Sequence, residues 1–502
     1  MGWECVNWIT EESRKYLWIQ EQNCLIRGEY KMTEQLADRD VVKTTYADVF
    51  VAGGGPAGVC AAVAAAREGA VTVMAEQGGC AGGMATQGLV GPFMTCYDKD
   101  GENMIIKGLF SEIVDRLVKK GGAVHPSQVR MGTAFTSWIQ TGHDHVTPFD
   151  PEILKLVLDE MLEEAGVQVL YHTAFTEPVM ENKKVTGVIL HSKSGFERIN
   201  TKVVIDCTGD GDVAYRAGVT CELGDEKRNL IQPATLFFRI CNVDTGAVEA
   251  DIEKNKKNFY RKDGVNYRSF HWWVSEARKH GDWNLDRVSI GLYRGVKPDE
   301  WFVNTSRVMG IDSTDNRSLS KGEMEGRRQA EEILNMIRTY IPGCGDAKLM
   351  STASVLGIRE SRHIRGEYRL TLEDILQGKV PDDRVLVCSN SVDVHGRFGP
   401  KSNEYLTIEN GEYYGIPYGC LVPCDVDGLL VAGRCISAES QAAGAVRVMP
   451  PVMAMGQAAG IAAALSVKTG KEARHISREL LKEKLIENQV YLGESNEAAR
   501  TD

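Results

Sequence analysis

A chain of 502 residues, 43% hydrophobic and 25% charged, exceeds the size at which one core keeps growing, so about two or three domains are expected. Its formal charge of -11 lacks the basic surplus that a nucleic-acid or anionic-membrane partner requires, so neither is expected. No uninterrupted run of eighteen apolar residues marks a bilayer span and no basic start leads into an apolar stretch, so the chain reads as cytoplasmic.

Residues 1–46 read as an N-terminal extension with no apolar stripe, although Trp3, Trp8 and Trp18 fall in it. Arg27-Gly28-Glu29 can be encoded by purine-rich codons resembling a bacterial ribosome-binding site, which suggests Met32 as the natural start and a translated leader before it. From residue 47 to 220 the pattern is that of a nucleotide-binding domain. A short apolar strand at 48–52 leads through GGGPAG into an Ala-rich helix at 59–68, which Gly69 ends, and a second strand at 71–76 follows. Such a βαβ unit requires a parallel sheet covered on both faces. An amphipathic helix is expected at 153–164 and further strands at 167–170, 185–190 and 203–206.

Residues 221–418 are mixed in pattern. They contain Trp272, Trp273, Trp283 and Trp301, a charged helix at 323–340 and a strand-like stretch at 354–370, and they read as an inserted substrate or cap domain. The nucleotide-binding fold returns at 419–470 with a strand at 428–432 and a helix from about Pro450 to Leu465. Residues 471–502 form a peripheral helix and tail. The thirteen cysteines are odd in number and scattered, which argues against a disulfide framework. Cys420, Cys424 and Cys435 lie within or beside apolar strand patterns and read as packed thiols, so no metal site is expected.

The chemistry sits in the glycine-rich turns. In Gly53-x-Gly55-x-x-Gly58, with Pro56 and Ala57 between, the first glycine permits a tight turn, the second lets the backbone approach a pyrophosphate, and the third lets helix and strand pack closely. The helix start offers free N–H groups to the diphosphate. Glu76, at the tip of the second strand, is placed to bond a ribose hydroxyl. The motif alone does not separate FAD from NAD, but three further elements favour a flavin. The loop 78–86, with Gly83, Met84 and Thr86, allows close backbone approach to a ribityl chain and ring. The strand end Asp206-Cys-Thr-Gly-Asp-Gly-Asp212 sets Asp210 at a nucleotide edge. The strand ending Gly433-Arg434 is followed by Arg447-Val-Met-Pro-Pro451 and a helix. Proline suits a first helical turn, and the positive end of that helix suits charge developing at flavin N1 and O2.

These same segments, with GIRESRHIRGEY at 357–368 and the closing IPYGCLVP, LLVAGRCISA and VRVMPPVMAMGQAAG, resemble the FAD-dependent oxidoreductase family, a bacterial branch of the glutathione-reductase-type flavoproteins related more distantly to fumarate reductase flavoprotein subunits. The resemblance covers residues 48–468. It implies an α/β protein with a Rossmann-type FAD-binding fold on a parallel sheet, an inserted mixed α+β domain, and non-covalent FAD. Its adenosine end would meet residues 53–58 and Glu76, and its flavin end Gly83, Met84, Gly433 and the start of the last helix. Thr86, Asp210, Arg434, Arg447, Pro450 and Val452 complete the expected cofactor contacts.

No CxxxxC pair of the disulfide-reductase kind and no cysteine-rich iron–sulfur run is present. Cys80 remains either a thiol that touches the flavin or a small packed side chain. For substrate chemistry the candidates are His395 and Arg397 in a glycine-flanked loop and Arg359 in the family-like stretch. In a strand, Arg359 and His363 would share a face and Arg362 would point away; a salt-bridge ladder with Glu360 and Glu367 is the structural alternative for these arginines. Tyr418 reads as structural, and Trp272 and Trp273 as core or as caps on a ligand. The expected function is a flavin-dependent dehydrogenase or reductase acting on a small molecule, with a homo-oligomer or an electron-donor partner compatible with it. An RNA-modifying flavoprotein would need a basic surface that this acidic chain lacks. A non-catalytic flavin-binding or electron-transfer subunit would not need the large insert.

Overall fold

The computed structural model describes residues 41–225, 230–262, 265–397 and 403–493, so the suggested start at Met32 and the end of the tail lie outside the described residues. The chain opens with β1 (Val41–Ala52), α1 (Pro56–Arg67) and β2 (Thr72–Ala75), then α2 (Leu109–Lys119) and α3 (Pro151–Glu164). Next come β3 (Gln168–Leu170), β4 (Ala174–Glu181), β5 (Lys184–Ser192) and β6 (Gly195–Asp206), and much later β7 (Leu429–Val431). These strands form one sheet in the order β3-β2-β1-β6-β5-β4, with β7 paired to the second half of β6. Strands β3, β2, β1, β6 and β7 run parallel, whereas β4, β5 and β6 form an antiparallel meander.

β1 begins at Val41, inside the stretch expected to be an extension. Its first half is largely exposed, which is why no apolar period betrays it, but its backbone pairs with β6 from Val41 onward. Register then sets the level of the strand ends. Ala52 pairs with both Ala75 and Asp206, and Asp206 pairs with Val431, so the carboxyl ends of four parallel strands stop together. The crevice beyond those ends is where open α/β sheets bind ligands.

Two helices meet at that level. α6 (Met449–Thr469), reached through α4 (Asn316–Tyr340) and α5 (Ser440–Val446), packs along α1. A Cβ at Gly456 would lie 2.1 Å from the Ala57 carbonyl oxygen, and one at Gly460 2.3 Å from that of Ala61. The glycines of α6 and the alanines of α1 therefore let the two backbones touch, and both helices start at the crevice. α6 is long and apolar enough to cross a membrane by composition, but 94% of its most apolar window is buried inside the protein, so its hydrophobicity serves the core.

The cap has its own core. An antiparallel sheet of Leu292–Arg294, Trp301–Val303, Phe238–Cys241 and Lys348–Thr352 is covered by α4, whose Ile333, Leu334 and Ile337 join Phe238, Ile240 and Trp301. Ala134 and Trp138 enter this cluster from the first part of the chain. By contrast, Val385–Cys388, Val392, Val394, Tyr414 and Ile416 pack in the main core with α1 and α6. The apolar cluster of the cap ends at Ala347, whereas the strand before His395 packs in the main core. The expected strand over 354–370 is also reduced, to Arg362–Ile364, because its neighbours bond to separate loops, Gly357 N–H to the Thr235 carbonyl and Arg365 N–H to that of Thr220.

Candidate active site

One cavity of about 1170 Å³ runs from the crevice at the strand ends to the cap. Gly53, Gly55, Pro56, Ala57 and Glu76 line it at one end. Gly53 has φ +95°, and a Cβ there would meet the Cys207 carbonyl oxygen at 2.7 Å, so glycine is required. A Cβ on Gly55 would meet nothing within 4 Å, so this backbone faces open space in the cavity. Gly55 is also the N-cap of α1, with Pro56 in the first turn and no side chain capping it, which leaves the helix start free for a phosphate. Gly58 does not face the cavity. A Cβ there would sit 1.8 Å from the Gly53 carbonyl oxygen, so its role is helix–strand packing, as the spacing rule requires.

The Glu76 carboxylate is buried and lines the cavity. It accepts the Gly54 N–H on Oε2 at 2.7 Å and the Gly78 N–H on Oε1 at 2.7 Å, with Gln87 Nε2 at 3.2 Å. It thus ties the two glycine loops together as well as facing the site. Asp206, fully buried, plays the matching part at the β6 end. It accepts from the Thr208 N–H and hydroxyl and from the Ala214 N–H, and burial pushes its carboxyl up to about 6. Gly83, Met84, Asp210, Gly433, Arg434 and Val452 also line the cavity. Asp210 accepts from Ser313 at 2.7 Å and from Arg434 at 2.6 Å, which joins β6, β7 and the cap across the crevice.

Besides Gly58, two expected contacts, Thr86 and Pro450, are not cavity-lining. Thr86 is buried and donates to the Ala81 carbonyl at 2.7 Å, holding the glycine loop rather than a ligand. Pro450 is buried in the first turn of α6, where Val448, Met449 and Val452 supply the lining instead. Cys80 lies off the cavity with its Sγ 3.9 Å from the Thr86 hydroxyl, whereas Cys207 lines it.

A gly-rich turn with a bare helix start, an acid beyond the second strand, and a second helix start across the crevice form a cradle that fits FAD. A family model for FAD dependent oxidoreductases matches residues 48–485. The chain belongs to that family. No curated protein sequence matches it. Among solved structures, a geranylgeranyl bacteriochlorophyll reductase-like protein from Thermoplasma acidophilum is similar at 14% identity, over 91% of this chain and 90% of that one, with a TM-score of 0.42. A p-nitrophenol 4-monooxygenase from Pseudomonas putida is similar at 13% identity, over 91% and 92%, with a TM-score of 0.44. At these values nothing about substrate passes from them to this FAD-dependent oxidoreductase.

The cap end of the oxidoreductase cavity carries the candidate residues for substrate chemistry. His395 lines it, with Nε2 3.2 Å from Asp393 Oδ2 and its backbone N–H bonded to Gln232 Oε1 at 3.0 Å. Arg447 donates to the Asp393 carbonyl at 2.9 Å and lies 3.9 Å from its carboxylate, so it stands with the His395 cluster. Arg359 also lines the cavity and donates to the Pro233 carbonyl at 2.5 Å. The expected ladder is absent from Arg359, because Glu360 is taken by Arg397 and Glu367 by Arg474. Arg397 is the correction among the catalytic candidates. It does not line the cavity; its Nη2 grips both Glu360 oxygens at 2.9 Å and the Ser440 hydroxyl at 2.5 Å, pinning the loop to α5.

Electrostatics move His395 far from an ordinary imidazole. Burial, together with the Arg359 and Arg447 charges, lowers it to about 3 against the opposing pull of Asp393. Burial alone would raise Asp393, but His395, Arg447 and Arg359 outweigh it and hold the carboxyl well below its usual range. Arg362 and His363 lie off the cavity, Arg362 paired to Asp212 at 2.9 Å. Tyr418 is fully buried and donates to the Ala473 carbonyl at 3.0 Å. Trp272 and Trp273 both donate to Asp251 and pack against the cap core, so neither caps a ligand. Asp393, missed in the sequence, was signalled by the alternation Val392-Asp-Val-His395, which puts acid and imidazole on one strand face.

Proposed function

We propose that this oxidoreductase moves a hydride between a non-covalently held FAD and a small organic substrate that carries negative charge, with His395 handling the accompanying proton. The observation that carries this reading is the cluster of His395, Asp393, Arg359 and Arg447 on the cavity that also holds the Gly53–Gly58 turn. Bound FAD supplies two-electron chemistry at N5. The rest falls to the protein. Arg359 and Arg447 are fixed charges that hold an anionic group and orient the carbon beside it. Entry of that anion offsets the two charges that depress His395, so the imidazole gains basicity when substrate arrives. His395 then accepts the proton of a substrate hydroxyl or amine, and Asp393 is the positioning residue that fixes the ring and stabilises the imidazolium. The motifs quoted above support kinship with glutathione-reductase-type flavoproteins as the wider setting.

The test is anaerobic. Oxidised enzyme is mixed with organic acids bearing hydroxyl or amino groups and with their neutral amides, and flavin absorbance is followed. Bleaching by acids but not by the matching amides is expected. Equal bleaching by both would remove the anionic substrate, and wild-type rates in His395→Gln would remove the proton role.

A further inference from the structure

Beyond the His395 cluster, the same cavity is lined by Arg268 and Arg287, contributed by two neighbouring stretches of the cap. The stretches are tied to each other. The Arg268 N–H donates to Ser289 Oγ at 3.1 Å, that hydroxyl to the Asn266 carbonyl at 3.3 Å, and the Ile290 N–H to the Ser269 carbonyl at 3.2 Å. The Arg287 carbonyl is in turn held by Trp283 Nε1 at 2.9 Å and Arg278 Nη2 at 2.7 Å. Both backbones are therefore fixed where both arginines line the cavity.

Two other arginines of the lining have carboxylate partners: Arg434 has Asp210, and Arg447 has Asp393. Arg268 and Arg287 form no ion pair among the described residues, and Arg268 Nη1 and Arg287 Nε are shielded from solvent with no hydrogen-bond partner. Burial and the neighbouring Arg307 and Arg268 push Arg287 down to about 10, which Tyr293 and Asp286 offset only in part. His143, also in the lining, adds no further positive charge near neutral pH: burial and Arg268 lower it to about 4. Shielded guanidinium groups without acceptors are costly unless a ligand supplies the acceptors.

We propose that Arg268 and Arg287 form a second anion-binding site in this cavity, which holds an acidic group of the substrate other than the one at Arg359 and Arg447. The proposal rests on the anionic-substrate reading above and narrows it to molecules with two acidic groups. The shared chemistry at the second site is an oxyanion, carboxylate or phosphate-like, since either accepts paired N–H donors from a guanidinium.

Calorimetric titration of the FAD-loaded protein tests this with propionate, the straight-chain dicarboxylates from malonate to adipate, and 3-phosphonopropionate. At least one two-group probe is expected to bind about ten- to hundred-fold more tightly than propionate. Arg287→Met and Arg268→Met should each remove most of that gain with propionate affinity and FAD content unchanged, and Arg287→Lys should keep part of it. The better probe of the two classes identifies the oxyanion. Equal binding of propionate and every two-group probe would overturn the proposal. So would variants that weaken all probes alike, or that release FAD, since the arginines would then serve the fold or the cofactor. If propionate and all other probes fail to bind, the anionic-substrate reading itself falls and this inference with it.

Discussion

The two ends of the cavity are built on opposite principles. The cofactor end is made of backbone: Gly53, Gly55, Gly83 and Gly433 remove side chains where a ligand must approach, and the starts of α1 and α6 supply the polarity. The cap end is made of long side chains, Arg268, Arg287, Arg359, His395 and Arg447, which come from separate stretches and act through charge. A backbone site is local and leaves its trace as spacing; a side-chain site exists only after distant segments have closed. The difference teaches where mutation should act on cofactor retention and where on turnover.

The sharpest test of that division is His395→Gln. Loss of a positioned proton acceptor should slow turnover by about a hundred- to ten-thousand-fold while bound flavin, read by absorbance, stays at wild-type content. Flavin loss instead would merge the two ends. Next in size is Gly456→Val. Its branched side chain would meet the Ala57 carbonyl, force α1 from α6, and cost about 1–3 kcal/mol or more, seen as a lower Tm together with released FAD. A smaller effect is expected from Glu76→Gln. One oxygen becomes an amide donor facing the Gly54 or Gly78 N–H, and FAD affinity, measured by fluorescence of released flavin, should fall about ten- to hundred-fold through loss of a bond to a charged group. Unchanged affinity would show that the loops, and not the acid, hold the adenosine end.

The smallest expected effect is a pH dependence confined to the cap end. His395 and His143 are held near 3 and 4 in the folded, FAD-free protein, against 6.5 in an unfolded chain. Below about 6.5 the unfolded chain therefore binds protons that the fold refuses, and stability drops as pH falls toward 4. Above that pH neither imidazole contributes a slope. The difference in Tm between wild type and His143→Gln or His395→Gln should thus change between pH 6.5 and 4 and be flat above it, whereas Asp206, raised to about 6, is common to all three proteins and cancels. A flat difference throughout would mean that the imidazoles titrate in the fold as they do in the unfolded chain.

This contrast also explains what could be read without coordinates. The β1–α1–β2 turn, Glu76, the β6 end and the Gly433 turn were legible because each depends on residues a few positions apart. Even the error in the α1 start is local: Pro56 opens the helix three residues ahead of the expected Val59, in the position proline favours. The exposed half of β1 was not legible, since Val41–Tyr46 has no buried face to impose a period. At the cap end, His395 and Arg359 were found by residue type, but type alone did not separate them from Arg397, whose guanidinium turns toward Glu360. Nor did it reveal Arg268 and Arg287, which sit in loops with no motif around them.

The contact of α6 on α1 has a consequence for how the protein is made. Gly456 rests on Ala57, so the two halves of the cradle are separated by about 400 residues of chain. While the first half leaves the ribosome, the edge of β6 lacks β7 and the alanine face of α1 lacks its cover, since β7 and α6 have yet to be translated. Native cofactor affinity is therefore expected to appear only after synthesis has passed residue 470, and the interval before it is when the nascent chain most needs shielding from other chains.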